Sequence, residues 1–210
     1  YIISMCSNDG QPDSIYLVGA TTGSMVAPNS EKIMRGFVMK MTLSTLKQSW
    51  ATEFPSASVN YITHCRVGPA GNVYVGGVVE GGTLSDDVSA YGLDDMFVAQ
   101  IADGGTVEWR KQVGSADHDR LVGLELISDA GILLYGEISK DADVKVSLWT
   151  MSTQDGSMTG ENSDVTPTIP PSEAPVGFAP TDAPVAPPTE APVVPPTDPP
   201  VAPSPAVPPS

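Results

Sequence analysis

The chain has 210 residues and a net charge of -15, and 40% of its residues are hydrophobic but only 6% aromatic. That length accommodates one domain and an appendage. So acidic a surface repels phosphate backbones and anionic headgroups, no basic patch with interleaved aromatics occurs, and no window holds 18 consecutive apolar residues. Neither nucleic acid nor membrane insertion is therefore expected.

Composition divides the chain in two. Of 21 prolines, 17 lie from Pro167 onward, whereas all 10 Lys and Arg lie at or before Lys145. The expected organisation is repeats over 1–160 and a proline-rich tail over 161–210. The chain starts without an initiator Met or a basic-then-apolar leader and reads as a processed product or a fragment.

From the N-terminus, Ser14-Ile15-Tyr16-Leu17-Val18-Gly19 is followed by Phe37-Val38-Met39-Lys40-Met41 and then Trp50. The same order returns as Asn72-Val73-Tyr74-Val75-Gly76-Gly77, Phe97-Val98-Ala99-Gln100-Ile101 and Trp109. A third copy opens with Gly131-Ile132-Leu133-Leu134-Tyr135-Gly136. Gly19 to Gly77 is 58 residues, Gly77 to Gly136 is 59, and Trp50 to Trp109 is 59. Gly19, Gly77, Gly136, Trp50 and Trp109 are thus structural landmarks of one repeat.

Within the middle repeat the runs Tyr61 to Val67, Asn72 to Val79, Met96 to Ala102 and Val107 to Val113 are rich in Val, Ile, Tyr and Phe, which is a strand pattern. Gly68 to Gly71 and Asp103 to Thr106 make short turns, with Gly104-Gly105 supplying a positive φ. Glu80 to Asp95 is a long polar connection. No segment has a capped 3.6-residue period. The prediction is an all-β chain of four-stranded antiparallel units, each stacked on the next to bury its faces. Counting gives about 2.5 to 3 blades of an incomplete β-propeller: a partial first, a full second and an incomplete last, because no tryptophan follows Asp155-Gly156 and Trp149 aligns with Ala99. The missing partners are expected to be further blades upstream or other copies of the chain.

The run Asp95 to Ser115, with Trp109 and Gly114-Ser115, followed by Gly131 to Gly136, resembles the SBBP β-propeller repeat, whose blades read D-x-F-V-x-K, W, G-S and G-N-V-Y-V-x-G. Gly71 to Gly77 is similar to the last of these motifs. The resemblance covers about residues 1–156. It implies an extracytoplasmic propeller with no defined catalytic residues. Gly105 and Trp109 also have the spacing by which glycine and tryptophan dock successive blades in quinoprotein propellers, although Trp50 has Leu46 at that place. No charged axial cluster accompanies them, so the tryptophans are read as packing residues and no cofactor is expected.

Cys6 and Cys65 lie in the first strands of two repeats. Aligning Tyr1-Ile2 with Tyr61-Ile62 puts Met5, not Cys6, opposite Cys65, and a one-residue slip reverses the side-chain face. The sequence therefore favours two free, half-buried thiols over a bridge between repeats.

His64 precedes Cys65 on a strand, so the two point to opposite faces, and His118 sits in a turn. Neither forms a nucleophile and base pair, and the chain is read as non-enzymatic. Acidic pairs occur at Asp86-Asp87, Asp94-Asp95, Asp117 with Asp119, and Asp141 with Asp143. Asp117 and Asp119 are candidate Ca²⁺ ligands, short of the six to eight oxygens the ion takes.

From Pro180 the tail repeats every eight residues, at Pro180 to Pro187, Pro188 to Pro195 and Pro196 to Pro203. Such proline density predicts a stiff, solvated polyproline II spacer. Proline-flanked Ser and Thr resemble O-glycosylated stalks or cell-wall proteins. The expected function is an extracellular or cell-wall-associated binding, adhesion or scaffolding module whose loops contact protein or carbohydrate. The alternative is a fragment of a quinoprotein-like or lyase propeller enzyme with its catalytic residues elsewhere.

Overall fold

The computed structural model describes residues 1–7, 10–26, 28–84, 90–128, 131–140 and 143–162. They belong to one compact unit, Tyr1–Thr168. The tail and its octads lie outside the described residues, as do Asp86, Asp87 and Asp141. Among the described residues there is no helix, and hence none long and apolar enough to cross a membrane.

Twelve strands form three four-stranded antiparallel sheets. The first holds β1 (Ile2–Cys6), β2 (Ser14–Thr21), β3 (Arg35–Thr42) and β4 (Lys47–Glu53). The second holds β5 (Asn60–Val67), β6 (Val73–Glu80), β7 (Asp94–Ile101) and β8 (Val107–Val113). The third holds β9 (Asp119–Ser128), β10 (Gly131–Lys140), β11 (Asp143–Ser152) and β12 (Met158–Asn162). Each sheet is a meander in chain order. The first repeat, expected as partial, has four strands. So does the last, whose fourth strand forms without a tryptophan and runs past the expected boundary at 160. The long second connection of the first two repeats is reduced in the third to two residues, with Lys140 paired to Asp143.

The repeat extends to its irregularities. Each first strand skips a residue in its ladder at the same place, Ile3, Thr63 and Val122, with β9 skipping Ile127 as well, and each fourth strand skips one at Ser49, Glu108 and Thr159. These bulges twist the strands and re-aim the following side chains. They also explain the landmark glycines. A Cβ on Gly19 would strike the Tyr1 carbonyl, one on Gly77 the Tyr61 carbonyl, and one on Gly136 the Arg120 carbonyl. All three carbonyls hold the same place in the repeat, so the bulged strand passes too close for any side chain.

The core lies between sheets. Tyr16, Val18, Val38 and Phe54 of the first sheet pack on Ile62, Cys65, Val75 and Phe97 of the second. Tyr74, Met96, Val98 and Val113 of the second pack on Leu121, Leu124, Leu134 and Trp149 of the third. Where the first interface sets Val18 and Cys65, the second sets Gly76 and Leu124, and a Cβ on Gly76 would lie 2.4 Å from Leu121 Cδ2 and 3.3 Å from Leu124 Cδ1. Volume lost on one sheet is returned by the other, which keeps the interface close-packed.

Cys6 and Cys65 form a disulfide, with Cα atoms 5.8 Å apart. The expectation of two free thiols is therefore corrected. The offset that argued against a bridge holds within one sheet, but two stacked sheets meet through opposite faces of their repeats. A cross-link between them requires non-equivalent positions.

Candidate functional site

Two kinds of site can be built from these sheets: the joints between them and the loops at one end. The joints repeat. Trp50 on β4 donates Nε1–H to the Asp103 carbonyl in the β7–β8 turn at 2.7 Å, and Trp109 on β8 donates to the Thr153 carbonyl in the β11–β12 turn at 3.1 Å. Beneath each indole lies a glycine with positive φ, Gly105 at +92° and Gly156 at +66°. A Cβ on Gly105 would sit 2.9 Å from the Trp50 ring, and one on Gly156 2.6 Å from that of Trp109. Tyr16 and Tyr74 brace the same indoles, with ring centroids 6.0 and 6.3 Å apart.

The inner ends of the joints differ. At the first, Lys40 Nζ bonds Asp103 Oδ1 at 2.5 Å and Tyr16 donates to the same oxygen at 3.3 Å. Burial lowers the Lys40 pKa, yet its bonds to Asp103 and Tyr16 outweigh that and hold the ammonium above its ordinary value. Lys40 in turn holds Asp103 below the usual carboxylate range. At the second joint the corresponding residues are Gln100 and Thr153, so the charge is gone. An Arg66–Glu125 fork bridges β5 and β9 there, with Nε to Oε2 at 2.8 Å and a second bond from Nη2 to Oε1. Burial and the Arg66 charge push the neighbouring His64 below its ordinary pKa.

At the other end, the described residues of the 22–34 and 81–93 connections lie beside the links into β5 and β9. Asn29 organises the first by donating Nδ2–H to the Ile33 carbonyl at 2.7 Å, and Glu53 accepts from the Met25 amide at 2.6 Å. Val26, Tyr91 and Leu93 stand exposed on these loops. Next to Leu93 a shallow cleft is lined by Tyr61, Asp94, His118, Arg120 and Glu137. His118 Nδ1 lies 2.6 Å from Asp94 Oδ2. Ser115 directs its hydroxyl away from His118, to Asp119 Oδ1 at 3.0 Å and the Ser139 carbonyl at 3.4 Å.

Of the two candidate Ca²⁺ ligands, only the Asp119 carboxylate is seen engaged by a hydrogen bond. Asp119 turns inward to Ser115, while the Asp117 backbone carbonyl accepts from the Leu93 amide at 3.1 Å. Among the described residues no group of three or more His, Cys, Asp or Glu is spaced to hold a metal ion. Burial, opposed by the Ser115 bonds and aided by Asp95, raises the Asp119 pKa. Asp95 Oδ1 is buried without a hydrogen-bond partner.

The landmark residues all fall at joints or bulges and none lines the cleft. Sequence reasoning missed the loop residues Val26, Tyr91 and Leu93, whose only signal was apolar character inside a polar connection. No family model matches the chain and no curated protein matches it.

Proposed function

We propose that the three sheets are blades of a β-propeller, as the SBBP-like spacing implies. We further propose that the protein is an extracellular or cell-wall-associated binding module, contacting protein or glycan through the 22–34 and 81–93 loops. The observation that carries the compartment is the Cys6–Cys65 bridge, since such cross-links persist where the surroundings are oxidising. Support for binding comes from Val26, Tyr91 and Leu93, apolar side chains held in the open, the first on a loop braced by Asn29 and Glu53 and the other two on a loop whose Leu84 and Tyr91 amides donate to Gln112 and Asp95. Loops on a rigid scaffold are where recognition concentrates. The tail, in this reading, is a spacer between the module and its attachment.

Two measurements test this. A tagged full-length chain on intact cells should be removable by external protease and should resist alkylation at both cysteines. Recovery only inside cells, with both thiols free, would overturn the compartment. On protein and glycan arrays, Tyr91→Ser with Leu93→Ser should abolish the signals of the unaltered chain; signals that persist in the variant would overturn the loop assignment.

A further inference from the structure

Among the described residues nothing covers one face of each end sheet, and the repeat shows what belongs there. Ile2 and Met5 on the first sheet are 60% and 66% exposed. Their counterparts in the second sheet, Ile62 and Cys65, are 0% and 1% exposed beneath the first; those in the third, Leu121 and Leu124, are 3% and 0% exposed beneath the second. Ile15, Leu17, Met39 and Met41 continue the uncovered face. On the far side of the third sheet, Leu133, Tyr135 and Leu148 occupy the places of Tyr74, Gly76 and Val98, which the second sheet buries against its neighbour.

At the tryptophan joint the two ends depart from the pattern in opposite senses. The ladder places Gly160 opposite Thr150, as Trp109 is opposite Gln100 and Trp50 opposite Lys40. Gly160 therefore stands where the indole should be. Leu46 stands where the glycine should be, four residues before Trp50, and keeps the positive φ of that place at +52°. Its side chain is 76% exposed. The internal joints set a large residue on the earlier sheet over a glycine on the later one. The free ends offer a gap on the later sheet and a protruding leucine on the earlier one.

We propose that the third sheet of one copy of this chain stacks on the first sheet of a second copy, head to tail, with Leu46 seated in the gap at Gly160. Gly76 at the second joint, whose missing side chain leaves room for Leu121 and Leu124 of the next sheet, is a precedent inside the fold for a leucine seated over a glycine. Such a contact is heterologous, so it either closes a ring or continues into a longer array. It depends neither on the protein's location nor on what its loops bind.

The test is the mass of the full 210-residue chain by light scattering across a dilution series, expected at two or more times the 21.8 kDa chain. Leu46→Gly should weaken association roughly thirtyfold, the effect of one lost central anchor. The same variant should raise the melting temperature of the dissociated chain, because it relieves a leucine at positive φ. Gly160→Trp should weaken association to a similar degree by filling the gap, and the fold should tolerate it, since the added Cβ meets only the Thr150 hydroxyl, at 2.8 Å. Combining the two changes recreates the internal Trp over Gly joint and should restore association. A monomer at every concentration overturns the proposal, as does an assembly indifferent to Gly160→Trp or a double variant no better than either single one.

Discussion

Cys6 and Cys65 are 59 residues apart in a chain whose repeat is of the same length, yet they are not equivalent residues. Cys6 pairs with Tyr16 as Arg66 pairs with Tyr74, and Cys65 pairs with Val75 as Met5 pairs with Leu17. Cys6 lies on the face its sheet turns toward the next, and Cys65 on the face its sheet turns toward the one before. At the second joint the corresponding residues are Arg66 and Leu124, and the longer arginine reaches past the leucine to Glu125. One joint is thus closed covalently and the other by a half-exposed ion pair.

Because the bridge encloses nearly one whole repeat, it restricts the unfolded chain strongly. On the chain-entropy account a loop of this size contributes about 4 kcal/mol. Reduction, or Cys6→Ser with Cys65→Ser, should therefore lower the melting temperature by roughly 10 °C. Calorimetry with and without reductant measures this. A shift no larger than that of a surface substitution would show that the first two sheets hold together without the link.

Gly104 and Gly105 are adjacent, but only the second lies under an indole. A Cβ on Gly104 meets nothing within 4 Å, whereas on Gly105 it meets Trp50 at 2.9 Å, at a φ of +92°. Gly105→Ala should cost about 1–2 kcal/mol from the left-handed backbone alone. It should also lift Trp50 from the Asp103 carbonyl, giving a red-shifted fluorescence. Gly104→Ala should leave both readings close to those of the parent. Equal behaviour of the two variants would remove the tryptophan joint as a source of stability.

The period was legible because its landmarks answer to fixed geometry: Gly19, Gly77 and Gly136 each face a carbonyl that excludes a side chain, and Trp50 and Trp109 each cover a turn. The bulges were not legible, since Ile3, Thr63 and Val122 share only their β-branching, which marks strand residues generally and does not single out a bulge. The fourth strand of the third sheet was obscured because Gly160 holds the tryptophan position with no side chain. The disulfide is hidden in the sequence because alternation relates faces within one sheet, whereas the bridge joins two. The joint ion pairs, Lys40 with Asp103 and Arg66 with Glu125, cross between repeats that a linear reading keeps apart.

Asp119 and Asn60 occupy the same place in successive repeats. Asn60 accepts from the Gly36 amide at 2.7 Å and donates to the Phe54 carbonyl at 3.1 Å and the Ser58 carbonyl at 3.3 Å. Asp119 faces the corresponding surroundings as a buried carboxylate near Asp95, with its pKa raised above 3.8. As pH rises through the unfolded value the unfolded chain ionises first, so this group destabilises the fold above that point. Asp119→Asn should accordingly raise the melting temperature at neutral pH by roughly 2–4 °C, the shift expected per kcal/mol for a chain of this size. The gain should disappear in acid, below about pH 4, where both states are protonated. Melting curves against pH decide it: a gain that persists unchanged in acid has another origin.

Lys40 and Asp103 test how much charge adds to a joint that the second interface makes with Gln100 and Thr153. The ammonium is 13% exposed but its carboxylate partner is 47% exposed, so solvent screens the pair, and a double-mutant cycle of Lys40→Gln and Asp103→Thr should give a coupling of no more than about 1 kcal/mol. Its pH dependence has the opposite sign to that of Asp119. Asp103 is held below 3.8 in the folded chain, mainly by its bond to Lys40. The coupling is therefore complete above the unfolded pKa and is lost as pH falls through the folded one. Salt should weaken it as well. A coupling that keeps its size in acid and in high salt would mean that Lys40 acts through its aliphatic stem, packed against Tyr16 with Nζ 5.4 Å from the ring centroid, rather than through its charge.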